Sequence, residues 1–257
     1  MIENAFIKKF LINSQNALGI MPGADDTWGK AQIFRGVFGD TWKNAYPANC
    51  LRHILVFEKF NIIPAFCFNC YKIQIKVSNV VDLIKLLLIF HELKLPNDNT
   101  RKCYVDDRPD IEGSYAGLIY YQDLNECDLH VKGIKRIIDE NISSNSMVIR
   151  KRGCSEYPVK YPEYGLFDEN NRPVMQYKPE WKEIESNFDK QDMAGHLKPL
   201  NIKSNNKPGF DAADIRIIHK WLRYAASIGD SSYFDIIDQP VKPFSNIPFK
   251  NFSFFNG

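Results

Sequence analysis

The chain predicts an α+β fold with a ferredoxin-like βαββαβ antiparallel sheet at its core, and three features carry that reading. Residues 70–77 (CYKIQIKV) set Tyr71, Ile73, Ile75 and Val77 against Cys70, Lys72, Gln74 and Lys76, the period-two alternation of a strand with one buried face. Residues 100–106 and 114–122 form two more strand-like runs, separated by a turn that carries Pro109 and Gly113, and this predicts an antiparallel hairpin. Helical patterning occupies residues 80–93 and 123–141, one stretch on each side of that hairpin, and a last strand-like run follows at 146–152. Strand, helix, strand, strand, helix, strand is the split βαβ order, in which one helical layer covers one face of a four-stranded sheet.

The segment before the core reads as helical and irregular. Residues 6–17 predict a short helix, 21–26 (MPGADD) a loop, and 28–38 and 49–60 two helices, the last with Asn49 placed to cap it. Trp28, Trp42 and Tyr46 are assigned to packing, the usual place for large rings. Within the core, Ser78 or Asn79 caps the first helix and Leu95-Pro96-Asn97 ends it. Asp123 or Asn125 starts the second helix, whose apolar positions are Leu129, Ile134, Ile137 and Ile138. Residues 157–179 hold four prolines and four tyrosines with little periodicity, which predicts an extended wrapping segment. A short helix is expected at 180–188. A clearer one is expected at 211–226, where Ile215, Ile218, Leu222 and Ala225 recur at helical spacing between Pro208-Gly209 and Gly229. The tail from Gln239 carries five phenylalanines and reads as a docked strap. One domain is expected over 1–257: a helical N-terminal extension (1–64), the ferredoxin-like core (65–157) and a C-terminal wrapping segment (158–257).

Composition narrows the functional classes. At 257 residues and 44% hydrophobic, the chain can bury a core without disulfide or metal support. Its 33 basic and 31 acidic residues leave a net charge of +2, and residues 65–157 balance at 13 each, which excludes a histone-like binder of nucleic acid. The longest apolar run, 80–95, is interrupted by Asp82, Lys85, His91, Glu92 and Lys94, so no transmembrane helix is expected. The first 18 residues lack the continuous apolar stretch of a secretory signal. A cytoplasmic location follows, and in that compartment the six cysteines read as thiols, metal ligands or core residues rather than disulfides.

The first candidate constellation is Cys67-Phe68-Asn69-Cys70, a CxxC at the mouth of the first core strand. In the split βαβ arrangement the first strand begins where the fourth ends, which brings Cys154 toward Cys67 and Cys70. Three thiolates with a fourth ligand suit zinc or an iron–sulfur cluster. The end of the second core strand is expected at the same rim, so Asp106 or Asp107 would complete the set. Without metal, Arg150, Lys151 and Arg152 beside Cys154 favour its thiolate and a nucleophilic role. The structural alternative makes these cysteines small buried hydrophobes. Cys50 and Cys127 are assigned to the core, and Cys103 points inward with Val105.

Tyr104-Val105-Asp106-Asp107 forms the second constellation. Over these four residues it resembles the Tyr-x-Asp-Asp hairpin of reverse-transcriptase palm domains, a resemblance that would imply two metal ions at a phosphoryl-transfer centre. The palm also needs a carboxylate on its first strand, and residues 70–77 have none. A divalent-metal or hydrogen-bonding role for Asp106, Asp107 and Asp110 competes with that of a capped, solvated turn.

The third constellation is a surface. With Ile73 and Ile75 facing the helices, Lys72, Gln74 and Lys76 take the other sheet face. Lys102, Tyr104, Arg150 and Arg152 are expected to join them. Cations interleaved with aromatic rings suit anionic ligands and single-stranded RNA. The leading expectation is an enzyme with a cysteine-lined site, holding metal or reactive thiolates at Cys67, Cys70 and Cys154 beside Asp106 and Asp107. Its Lys72, Lys102, Tyr104, Arg150 and Arg152 would bind an anionic, phosphorylated or similar substrate. A non-catalytic single-stranded RNA binder and a structural or interaction protein are the alternatives.

Overall fold

The computed structural model of the chain describes residues 2–18, 40–43, 50–108, 113–190, 210 and 212–244. Seven α-helices and five strands occur among them: α1 (Asn4–Leu18), β1 (Asp40–Lys43), α2 (Cys50–Phe60), β2 (Tyr71–Val77), α3 (Val80–Glu92), β3 (Arg101–Val105), β4 (Tyr115–Tyr121), α4 (Leu124–Asn141), β5 (Met147–Arg152), α5 (Glu156–Lys160), α6 (Trp181–Lys190) and α7 (Ala212–Ile228). The fold is α+β. One antiparallel sheet runs in the order β1-β3-β4-β2-β5. The expected helix at 28–38, the loop at 21–26, Tyr46, Asn49 and Asp110 lie outside the described residues.

Local chemistry explains the core elements. Alternation along β2 sends Tyr71, Ile73, Ile75 and Val77 into the main apolar core with Cys103, Val105, Tyr115, Ile119 and Tyr121 from the neighbouring strands. Asn79 caps α3 by accepting from the Asp82 N–H at 2.9 Å, and Asp123 caps α4 by accepting from Glu126 at 2.8 Å. Nearly every side chain of α3 is buried, the signature of a helix enclosed on all sides. It lies between the sheet and a second helical layer, α1 and α7, which contributes Ile7, Leu11, Ile215, Ile218 and Leu222 to the same core. On α4 only Cys127, Ile134 and Ile138 are buried; Leu129, expected on the apolar face, is exposed.

Two expectations change. The sheet has a fifth strand, β1, which pairs with β3 from Asp40↔Tyr104 to Lys43↔Arg101. Residues 157–179 are not simply extended: α5 is followed by a 3-10 turn at Pro162–Gly165 and a bridge between Phe167 and Pro173. A second apolar cluster, beside the start of β2, joins Val56 and Ile63 to Cys67, Phe68, Tyr157, Tyr164, Trp181 and Phe188. No described helix is long and apolar enough to cross a membrane.

Candidate functional site

The site is built where β5 ends beside the beginning of β2. Antiparallel pairing sets Tyr71 across from Arg152 and Lys72 across from Lys151, and the Gly153 N–H extends the ladder to the Cys70 carbonyl at 2.7 Å. Gly153 has φ +55°, and a Cβ there would lie 2.1 Å from the Tyr164 hydroxyl, so glycine is the residue that both the backbone and the space require. The turn delivers Cys154 to Lys72, whose Nζ donates to Cys154 Sγ at 3.5 Å. Lys72 is buried (6% exposed), and its ammonium also lies 5.2 Å from the centre of the Tyr120 ring. Cys154 itself is partly exposed.

Cys50, at the first turn of α2, belongs to the same neighbourhood. Burial, reinforced by Cys154 and opposed by Lys72, pushes its thiol up to about 11; Cys70 and Lys102 act on it too. Tyr120 is held far above the usual phenol range, by burial first and then by Cys50, Cys154 and Cys70. The Lys102 ammonium lies 4.4 Å from the centre of the Tyr104 ring. Lys151 hydrogen-bonds to the Ser155 hydroxyl. Burial pushes its ammonium down to about 8, Lys72 pushes the same way, and Cys154 and Glu156 oppose.

The cysteines are gathered into one region but do not converge on a point. The Cys67 sulfur lies 3.2 Å from the Tyr157 hydroxyl, and burial pushes its thiol well above the ordinary range. The Cys154 sulfur faces Lys72 instead. Among the described residues, no group of three or more His, Cys, Asp or Glu side chains is arranged to hold a metal ion. This donor set therefore does not fit the expected zinc or iron–sulfur centre.

Register also corrects the sides assigned to two arginines. Arg150 lies across from Ile73, and Arg152 across from Tyr71, so neither shares the Lys72 face. Arg150 pairs with Asp128 of α4 at 2.7 Å, and Arg152 is spent on backbone carbonyls beside Phe68 and Tyr164. Lys151 occupies the position on the Lys72 face that the arginines were expected to fill. The aspartates are corrected too. β3 runs parallel to β2 in direction, with Val105, Tyr115 and Val77 level across the sheet, so β3 ends opposite the Cys70 rim. Asp106 is tied to that rim indirectly. Arg108 grips it through Nε (2.9 Å) and Nη2 (2.7 Å), and reaches Glu156 of α5 at 2.6 Å. Asp107 is exposed.

The sheet face is not an open platform. Lys72, Gln74, Tyr104, Leu118 and Tyr120 are all buried, and Cys70, Tyr104, Ala116, Leu118 and Tyr120 form a small apolar cluster of their own. Stacking of RNA bases needs exposed rings, so this arrangement offers no surface for it. Lys151, Cys50, Arg108 and Glu156 were absent from the sequence-derived site. Only Lys151 left a trace there, as the middle residue of Arg150-Lys151-Arg152. No protein-family model, curated protein or solved structure matches the chain.

Proposed function

We propose that the protein is a cytoplasmic enzyme that uses Cys154 as a thiolate nucleophile on a small anionic substrate held by Lys72 and Lys102. The observation that carries this reading is the contact between a buried ammonium and a partly exposed sulfur, Lys72 Nζ to Cys154 Sγ at 3.5 Å. Thiolate is the reactive form of cysteine, and reactive cysteines sit in electropositive, partly exposed surroundings. The other sulfurs of this region suit a different task, since Cys67 and Cys70 are buried. Lys72 and Lys151 beside one accessible thiol, with Lys102 acting on the neighbouring Cys50, would attract and orient a carboxylate or phosphate next to the nucleophile. The scaffold reads as a ferredoxin-like core. The order of its four core strands in the sheet (second, third, first, fourth), antiparallel throughout, supports that reading, as does the burial of α3 and α4 against one face.

Alkylation with matched charged and neutral reagents tests the proposal. Relative to a small free thiol, Cys154 should prefer anionic iodoacetate over neutral iodoacetamide by about tenfold, equivalent to about 1.4 kcal/mol. Lys72→Met should abolish that preference while leaving Cys154 open to iodoacetamide. If Cys154 reacts with the two reagents in the same ratio as the free thiol, no anion site adjoins the sulfur and the reading fails.

A further inference from the structure

The contact between Lys72 and Cys154 joins two groups that can also react with each other. Lys72 Nζ stands 3.5 Å from Cys154 Sγ, and the backbone fixes both residues. Lys72 is held in the β2–β5 ladder, and Cys154 follows the Gly153 turn, whose N–H is bonded to the Cys70 carbonyl at 2.7 Å. Closing the gap between the two atoms is a matter of side-chain rotation. The partners differ in access. Cys154 is partly exposed, so a small oxidant reaches its sulfur, whereas Lys72 is buried and a bond made on its nitrogen is screened from water. Other thiols of the region are poorer partners for an oxidised Cys154, because attack on its sulfur needs a thiolate. Burial pushes the Cys50 thiol up to about 11 and keeps Cys67, 3.2 Å from the Tyr157 hydroxyl, protonated.

We infer that hydrogen peroxide converts the Lys72 and Cys154 pair into a covalent bridge, a sulfenamide with Sγ bonded to Nζ, which switches the site off until a thiol reduces it. The Cys154 thiolate attacks one peroxide oxygen and the O–O bond breaks. The departing hydroxide takes a proton from the Lys72 ammonium and leaves as water, so that sulfur carries a sulfenic acid. The amine lone pair then forms the S–N bond while the S–O bond breaks, and the oxygen leaves as a second water with a further proton from nitrogen. Thiolate, ammonium and one peroxide thus yield the bridge and two waters; sulfur gives up two electrons and peroxide takes them. A reducing thiol reverses the step by attacking the sulfur, which frees the amine and leaves a mixed disulfide that a second thiol opens. The bridge occupies the nucleophile and removes the cation beside it together. The inference rests on the reading of Cys154 as a reactive thiolate, and it adds the regulation of that site.

Peptide mapping of the full-length chain tests it. After treatment with hydrogen peroxide and capping of the remaining thiols, a peptide pair joined through Lys72 and Cys154 should appear, lighter than its separate reduced parts by two hydrogens, and dithiothreitol should release it. Tryptic cleavage after Lys72 should be lost in the same sample. Iodoacetamide labelling of Cys154 should fall at least about tenfold and return with dithiothreitol. Lys72→Arg keeps a cation but offers no amine, and there peroxide should leave Cys154 as sulfenic acid or its more oxidised products, heavier by the added oxygen. Wild-type Cys154 recovered in those forms, or in a disulfide with Cys50 or Cys70, while trypsin still cleaves after Lys72, overturns the inference. An iodoacetate preference intact at Cys154 without the bridge overturns the bridge alone; a Cys154 inert to both iodoacetate and peroxide removes the thiolate reading as well.

Discussion

Arg152 carries a full charge into the protein (3% exposed) with no carboxylate paired to it among the described residues. Its guanidinium instead donates to Phe68 O at 3.0 and 3.1 Å, Met175 O at 2.8 Å and Tyr164 O at 3.3 Å. It also lies 5.0 and 4.8 Å from the Phe68 and Tyr164 ring centres. One side chain thereby ties together the CxxC turn, the 3-10 turn after α5 and the loop before α6. Replacing Arg152 with Met strands these carbonyls, and urea unfolding should show a loss of about 2–4 kcal/mol. Lysine should recover little of it, because it lacks the planar fork that serves several acceptors at once. The same residue shows where sequence reading stops. Residues 147–152 do form a strand, but the choice between Arg150 with Arg152 and Lys151 as neighbours of Lys72 depends on a register offset of one residue, which turns every side chain to the other face. Arg150 and Arg152 leave no alternation in Met147-Val148-Ile149 sharp enough to fix it.

Elements meet at Gly153, and their geometry depends on it. The left-handed backbone there lets β5 stop and α5 begin with Cys154 already beside Lys72. Gly153→Ala places a methyl group against the Tyr164 ring and hydroxyl and forces the backbone out of a region that alanine disfavours. A cost of about 2–4 kcal/mol is expected by thermal or urea unfolding. The surviving folded protein should also lose the iodoacetate preference of Cys154, because the sulfur no longer reaches Lys72. Element types were readable because their signals are local. The alternation in β2, the Asn79 and Asp123 caps, and the helical spacing of Ile215, Ile218 and Leu222 each lie within a dozen residues. The direction of β3 relative to β2 was not local. It follows from two successive antiparallel pairings through β4, and it moved Asp106 to the far end of the sheet, where the reach of Arg108 to Glu156 links it back to the site.

At the scale of the whole molecule, β2, β3 and β4 are largely buried on both faces, with β4 at the centre of the sheet and β1 and β5 at its edges. Hydrogen exchange should be slowest in Tyr115–Tyr121 and Tyr71–Val77 and at least about a hundredfold faster in Asp40–Lys43, since central ladders open only with global unfolding. Equal protection of β1 and β4 would contradict this layering. The helical spacing of Ile215, Ile218 and Leu222 already marked α7 as a helix with one apolar face, which it turns to the core. Coverage of the second face left no such mark, because groups that act on Tyr120, such as Cys50 at the start of α2, lie far away in sequence. A basic, aromatic strand surface reads as open until its cover is known.

The edge position of β5 has one more consequence. Uncapped strand edges invite other chains to add on, and inward-aimed charges are a recognised guard against it. To join a foreign ladder, this edge would have to tear Arg150 from Asp128 and Arg152 from its three carbonyls. The groups that lock β5 into its own sheet therefore also act as gatekeepers against aggregation.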